Sequence, residues 1–101
     1  MTQVLVKQKD DVLISIEVEG HADFSNYGND VVCAGISAIM FGSLNALTSF
    51  KLDEGRIIID KAFIKINLVN DKEIQIIAKT MLIQLQTIQE SYPDYINIEI
   101  N

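Results

Sequence analysis

The chain contains no tryptophan, one proline, one cysteine and one histidine among 101 residues, and each scarcity removes a class of answer. A lone cysteine, Cys33, excludes an intramolecular disulfide framework, and a free thiol fits a reducing, cytoplasmic setting. One histidine and one cysteine leave a tetrahedral zinc site two ligands short, and no spacing of acidic residues supplies the rest, so neither metal nor cofactor is expected. Cations are also few: eight Lys plus Arg stand against fourteen Asp plus Glu, for a net charge of −6. No basic stripe exists to meet phosphates, so nucleic acid is not an expected partner, whereas a basic protein is compatible with the charge. There is no phosphate-binding loop, because Gly20 and Gly28 are far apart and precede no Gly-Lys-Ser/Thr. The opening "MTQVLVKQKDD" lacks the apolar core of a signal peptide and turns charged within its first turn-like stretch.

What is present reads as one domain, residues 1–101, with enough apolar content to bury a single two-layer core. "QVLVKQ" and "DVLISIEVEG" alternate as strands around a turn at Lys9, Asp10 and Asp11. In the second strand simple parity places Val12, Ile14, Ile16 and Val18 on one face and Leu13, Ser15, Glu17 and Glu19 on the other. The same parity carries His21 onto the polar face unless Gly20 forms a bulge. Residues 22–29 show no apolar period and read as a loop. From Val31 to Phe50 no residue is charged, which meets the length criterion for a membrane span. Ser37, Ser43, Asn45, Thr48, Ser49, Gly35 and Gly42 lower its hydrophobicity, and the flanking strands need a covering helix. The expectation is a central buried helix, with Ala38, Gly42 and Ala46 as a small-residue stripe for close packing, and no membrane partner.

"EGRIIID" and "AFIKINLVN" read as a second antiparallel pair. From Asp71 to about Ser91, Ile74, Ile77, Ala78, Met81, Leu85 and Ile88 keep helical spacing, with Asn70 or Asp71 as N-cap and Pro93 as the stop. "YINIEI" is a last strand with Ile96, Ile98 and Ile100 inward. The expected fold is α+β, an antiparallel sheet with two α-helices in the order ββαββαβ.

The only histidine and the only cysteine flank one loop, in "EGHADFSNYGNDVVCAGIS". If Asp30 caps a helix beginning at Val31, Cys33 falls in its first turn, beside unpaired backbone N–H groups and the positive end of the macrodipole. Both favour thiolate, and the same N–H groups suit an oxyanion. A histidine within reach serves as base. Asp30 is also a candidate for orienting His21, although capping alone explains it. Ser37 lies one turn beyond Cys33. Asp23 and Tyr27 read as solvated loop residues, with Tyr27 a candidate substrate contact. Against this, free cysteine is among the most buried residue types, and the flanking valines suit an inert core thiol. Residue type and spacing leave both readings open: a catalytic Cys–His pair, or a non-catalytic module that binds a basic protein around an inert, buried Cys33.

Gly20-His21-Ala22, a short Gly-containing loop, and then Gly28-Asn29-Asp30-Val31-Val32-Cys33-Ala34-Gly35-Ile36-Ser37 together resemble the motif of the ribosomal-processing cysteine protease (Prp, or YsxB-like) family. The spacing fits without a gap. The resemblance implies a homodimeric bacterial α+β endopeptidase that removes the N-terminal extension of large-subunit ribosomal protein twenty-seven, cutting after a pair of aromatic residues. It implies Cys33 as nucleophile and His21 as general base, with Asp30 and Ser37 assisting. It also implies that the segment from Ala22 through Asp23, Tyr27 and Gly28 to Asn29 is a flap closing on the peptide.

Overall fold

The computed structural model describes residues 1–20 and 27–101, with the side chains of all of these except residues 27–30. β1 (Thr2–Lys9) and β2 (Val12–Glu19) form the first hairpin, and β3 (Ile57–Asp60) and β4 (Phe63–Asn67) the second. α1 (Tyr27–Ser49) follows the first hairpin, α2 (Lys72–Ser91) the second, and β5 (Ile96–Ile100) closes the order ββαββαβ. The sheet runs β3-β4-β2-β1-β5. Three of its pairings are antiparallel, but β5 lies parallel to β1, with Thr2 opposite Ile96 and Val6 opposite Ile100. The α+β class holds, and the sheet is mixed rather than wholly antiparallel. The parallel pairing arises because α2 carries the chain back along the sheet before β5 is added.

In the first hairpin Asp10 and Asp11 take positive φ values of 52° and 65°, the mirror-image turn whose twist matches its strands. Strict alternation fails in β2. Lys7 faces Ser15 but Gln8 faces Leu13, so Ile14 is an extra, bulged residue. Leu13 is therefore buried while Ile14 is 45% exposed, the reverse of what parity predicts for both. The bulge sits at Ile14, not at Gly20. From Ile16 onward parity holds, and Ile98, Val4, Val18, Ile64 and Ile59 form one cross-strand row facing the helices.

Both helices cover that face. α1 buries the stripe Val32, Ile36, Met40, Leu44 and Leu47, and α2 buries Ile74, Ala78, Met81, Leu82 and Leu85. The opposite face of the sheet is polar, with Lys65 Nζ 3.2 Å from Glu17 Oε1 across the β2–β4 pair. α1 is long and apolar enough to cross a membrane, by length and composition. Here it packs one stripe on the sheet and is not buried all round: Val31 and Phe41 are exposed. The small stripe Ala38, Gly42 and Ala46 borders an open groove toward α2, where a Cβ on Gly42 would meet nothing within 4 Å. The close approach between the helices is instead at Gly35, whose added Cβ would stand 3.2 Å from Ile88 Cδ1.

The ends of the helices follow local chemistry. Asp71 caps α2, its carboxylate accepting from Ile74 N–H at 3.1 Å. α1 stops in a Schellman arrangement: Lys51 has φ 71°, Leu52 N–H donates to Leu47 C=O at 2.9 Å, and Lys51 N–H donates to Thr48 C=O at 3.0 Å. Buried Gln75 ties α2 to the bulge. Its Oε1 accepts from Leu13 N–H at 2.9 Å, and its Nε2 donates to the carbonyls of Leu13 at 2.8 Å and Val69 at 2.9 Å. In β5, Ile96 is fully buried, and Ile100 shares its face opposite buried Val6 but is 41% exposed at the strand's end.

Candidate active site

Cys33 lies on α1 but not in its first turn. The helix begins at Tyr27, which makes Asp30 its fourth residue and Cys33 its seventh. Gly28 and Asn29 are weak helix formers and suggest a loop. Once a helix exists, however, each added residue gains a hydrogen bond for little further ordering, and propensity yields. Two expectations are corrected. Asp30 is inside the helix rather than at its cap, and the unpaired N–H groups of the helix start precede Cys33 in the chain. Tyr27 and Gly28, expected in a loop, are helical. His21, Ala22 and Asp23 lie outside the described residues, and the expected flap from 22 to 29 is described only where it has become helix.

Gly20, the first residue of the Gly-His-Ala motif, has a firm structural reason. It follows β2 with φ 101°, and a Cβ there would lie 2.7 Å from the carbonyl oxygen of Met1. Only glycine fits both the backbone and the space. Its N–H donates to Ala62 C=O at 2.9 Å, which fastens the end of β2 to the β3–β4 turn just before His21 enters the chain.

Gly20, Cys33 and Ser37 line one cavity of about 210 Å³, together with Ile36, Met40, Phe41, Ile59 and Phe63. Cys33 is half-buried, so the reading of an inert thiol sealed in the core does not hold. Ser37 is exposed, one helical turn further along the same face. The cavity is apolar over most of its wall, with the thiol and the serine hydroxyl as polar groups on α1. A larger groove of about 450 Å³ runs between α1 and α2, but none of the candidate site residues lines it. Among the described residues no three His, Cys, Asp or Glu come together as metal ligands.

Sequence reasoning did not find the far wall, Ile59 and Phe63 from the second hairpin. The one available signal is the run Ile57-Ile58-Ile59, which places isoleucine on both faces of a strand and leaves Ile58 and Ile59 exposed.

The sequence over residues 1–97 matches the family model described as cysteine protease Prp. The chain is 42% identical over 88 residues to the ribosomal processing cysteine protease Prp of Staphylococcus aureus (strain Mu50 / ATCC 700699), covering 83% of this chain and 81% of that one. It is 30% identical over 113 residues to the protein of the same name from Bacillus subtilis (strain 168), covering 100% and 98%. Its fold matches the crystal structure of the essential ribosomal processing protease Prp from S. aureus in complex with a covalently linked product peptide. That match has a TM-score of 0.87 and 37% identity, with both chains fully covered. A fold, a half-buried thiol in a cavity and a full-length family match agree: the chain belongs to the cysteine protease Prp family and is a cysteine protease.

Proposed function

We propose that this protease removes the N-terminal extension of the bacterial large-subunit ribosomal protein twenty-seven, cutting after a pair of aromatic residues. One observation carries the assignment of the nucleophile: Cys33 is the chain's sole cysteine, and it lines a cavity with an apolar wall. A cysteine protease with a single thiol has one candidate for the attacking group. The relative from S. aureus, which carries a covalently linked product peptide, supports a covalent route.

In that route His21, the sole histidine, takes the proton from Cys33 Sγ as thiolate attacks the scissile carbonyl. The tetrahedral intermediate collapses to a thioester. The C–N bond breaks, and the leaving amine receives the proton from His21. Water, deprotonated by His21, then attacks the thioester, releasing the acid and restoring the thiol. Asp30 orients the imidazole, Ser37 assists at the mouth of the cavity, and the segment after His21, with Ala22, Asp23, Tyr27 and Gly28, closes over the peptide. Large apolar walls at Met40, Phe41, Ile59 and Phe63 suit an aromatic side chain beside the cut. The net charge of −6 suits a basic substrate. The enzyme acts in the cytoplasm as a homodimer.

The test is mass spectrometry of a synthetic peptide spanning the extension and the first mature residues. Wild-type protein is expected to give a single cut after the aromatic pair, and Cys33→Ala none. Cleavage by Cys33→Ala at the wild-type rate removes the nucleophile assignment. A cut elsewhere in the peptide removes the specificity assignment.

A further inference from the structure

β3 ends the sheet, and its outer edge has no strand beside it among the described residues. The hydrogen bonding of the second hairpin identifies which groups that edge presents. Gly20 N–H donates to Ala62 C=O at 2.9 Å, and Leu68 N–H donates to Ile14 C=O at 2.8 Å. Antiparallel ladders alternate, so Ala62, Ile64 and Ile66 direct their backbone groups to β2, and Phe63 and Lys65 direct theirs to β3. Their partners on β3 are Asp60 and Ile58. Ile57 and Ile59 therefore turn their backbone groups outward. Ile57 N–H is already held by Glu54 C=O, which leaves the N–H and C=O of Ile59 as a matched donor and acceptor at the edge.

The Ile59 side chain is 57% exposed and lines the Cys33 cavity. It also lines a second hollow of about 350 Å³ between α1 and β3, bounded by Asn45, Thr48 and Ile57. Ile59 thus borders both hollows, and both lie against the same helix, α1. From Cys33 to Thr48 the helix advances about 22 Å at ~1.5 Å per residue, room for about six extended residues at ~3.3 Å each. Exposed apolar edge strands are normally blunted by charge or proline. Here Ile58 and Ile59 are both exposed, and Ile59 lines the cavity that holds Cys33.

We infer that the substrate docks as an added strand on β3. An extended segment next to the scissile bond exchanges two backbone hydrogen bonds with Ile59, and every second side chain turns into the trough beneath α1. This rests on the endopeptidase reading above and specifies how that site holds its peptide. Affinity then comes from the main chain, and selectivity from the alternate side chains that enter the Cys33 cavity.

Binding to the Cys33→Ala protein separates docking from turnover. The probe is the synthetic extension peptide, fluorescently labelled and prepared as a series with one backbone nitrogen methylated at a time. One position within six residues of the cut is expected to weaken binding about tenfold, as loss of one hydrogen bond implies, while its immediate neighbours have little effect. Measured beside Ile59→Ala, which loses the side chain alone, Ile59→Pro also removes the outward N–H and leaves the β3–β4 ladder intact. With thermal unfolding as the check on folding, it is expected to weaken binding of the unmodified peptide by a similar factor relative to Ile59→Ala. A flat methylation profile, an Ile59→Pro protein that folds and binds as Ile59→Ala does, or an edge covered by a second copy, seen as peptide binding that weakens as protein concentration rises, each overturns the proposal. If the alternating profile appears but wild type leaves the peptide uncut, edge docking stands and the cleavage reading fails.

Discussion

The two strand-to-helix connections solve the same problem in opposite ways. From β4 to α2 the chain needs only residues 68–71, and three of them are held by hydrogen bonds: Leu68 N–H donates to Ile14 C=O, Val69 C=O accepts from Gln75, and Asp71 caps the helix. From β2 to α1 the chain leaves through Gly20 at φ 101° and reaches the helix at Tyr27. The first kind of connection is a structural joint. The second carries His21 and leads to Cys33, and it leaves β2 through a glycine whose positive φ and close approach to Met1 C=O admit no side chain. The Gly-His-Ala motif lies on the longer of the two connections, the kind of segment on which functional residues are commonly carried by a rigid scaffold.

That contrast can be broken from either side. The largest loss of stability is expected for Gln75→Leu, which keeps the volume of the side chain but leaves the Leu13 N–H and the carbonyls of Leu13 and Val69 without their partner. Urea denaturation is expected to show about 3 kcal/mol of destabilisation, with peptide cleavage by the remaining folded protein unchanged. Gly20→Ala comes next. Strain at positive φ and the contact with Met1 C=O together are expected to cost about 2 kcal/mol, and cleavage is expected to fall further than the folded fraction does. A Gly20→Ala protein that loses stability but keeps full activity per folded molecule removes Gly20 from its role in placing the His21 end of the loop. Asp71→Ala removes one cap and is expected to cost about 1 kcal/mol with no change in KM; a shift in KM would mean that the closed joint also communicates with the site.

The legible parts of this fold are those that depend on neighbours in sequence. The element order, the Asp71 cap, the stop before Pro93 and the apolar face of α2 all rest on spacing within a turn or two. The missed parts depend on partners far away. Ile14 bulges because the register against β1 shifts there, and alternation within β2 contains no sign of it. β5 is parallel because of where α2 delivers it. α1 starts at Tyr27 although Gly28 and Asn29 argue locally against it, and that early start moved Cys33 out of the first turn. At the site, the Gly-His-Ala and Asp30–Ser37 motif identified the cavity's α1 wall and its glycine hinge. Ile59 was invisible because nothing in a run of three isoleucines says which one meets the thiol.

The parallel pairing of β1 with β5 also bears on the order of folding. It joins Thr2 to Ile96 and Val6 to Ile100, the longest loop this chain has to close, and contacts of that range form late because their entropy must be met before they return any stability. Every residue lining the Cys33 cavity falls between Thr2 and Ile64, and none belongs to β5. The two hairpins and α1 thus hold the cavity within residues 2–64, joined by the β2–β4 pairing that sets Val18 opposite Ile64, while the longest closure comes at the β5 edge. Docking of β5 completes the scaffold and reaches the pocket at Thr2, which pairs with Ile96 and donates its N–H to Tyr95 C=O.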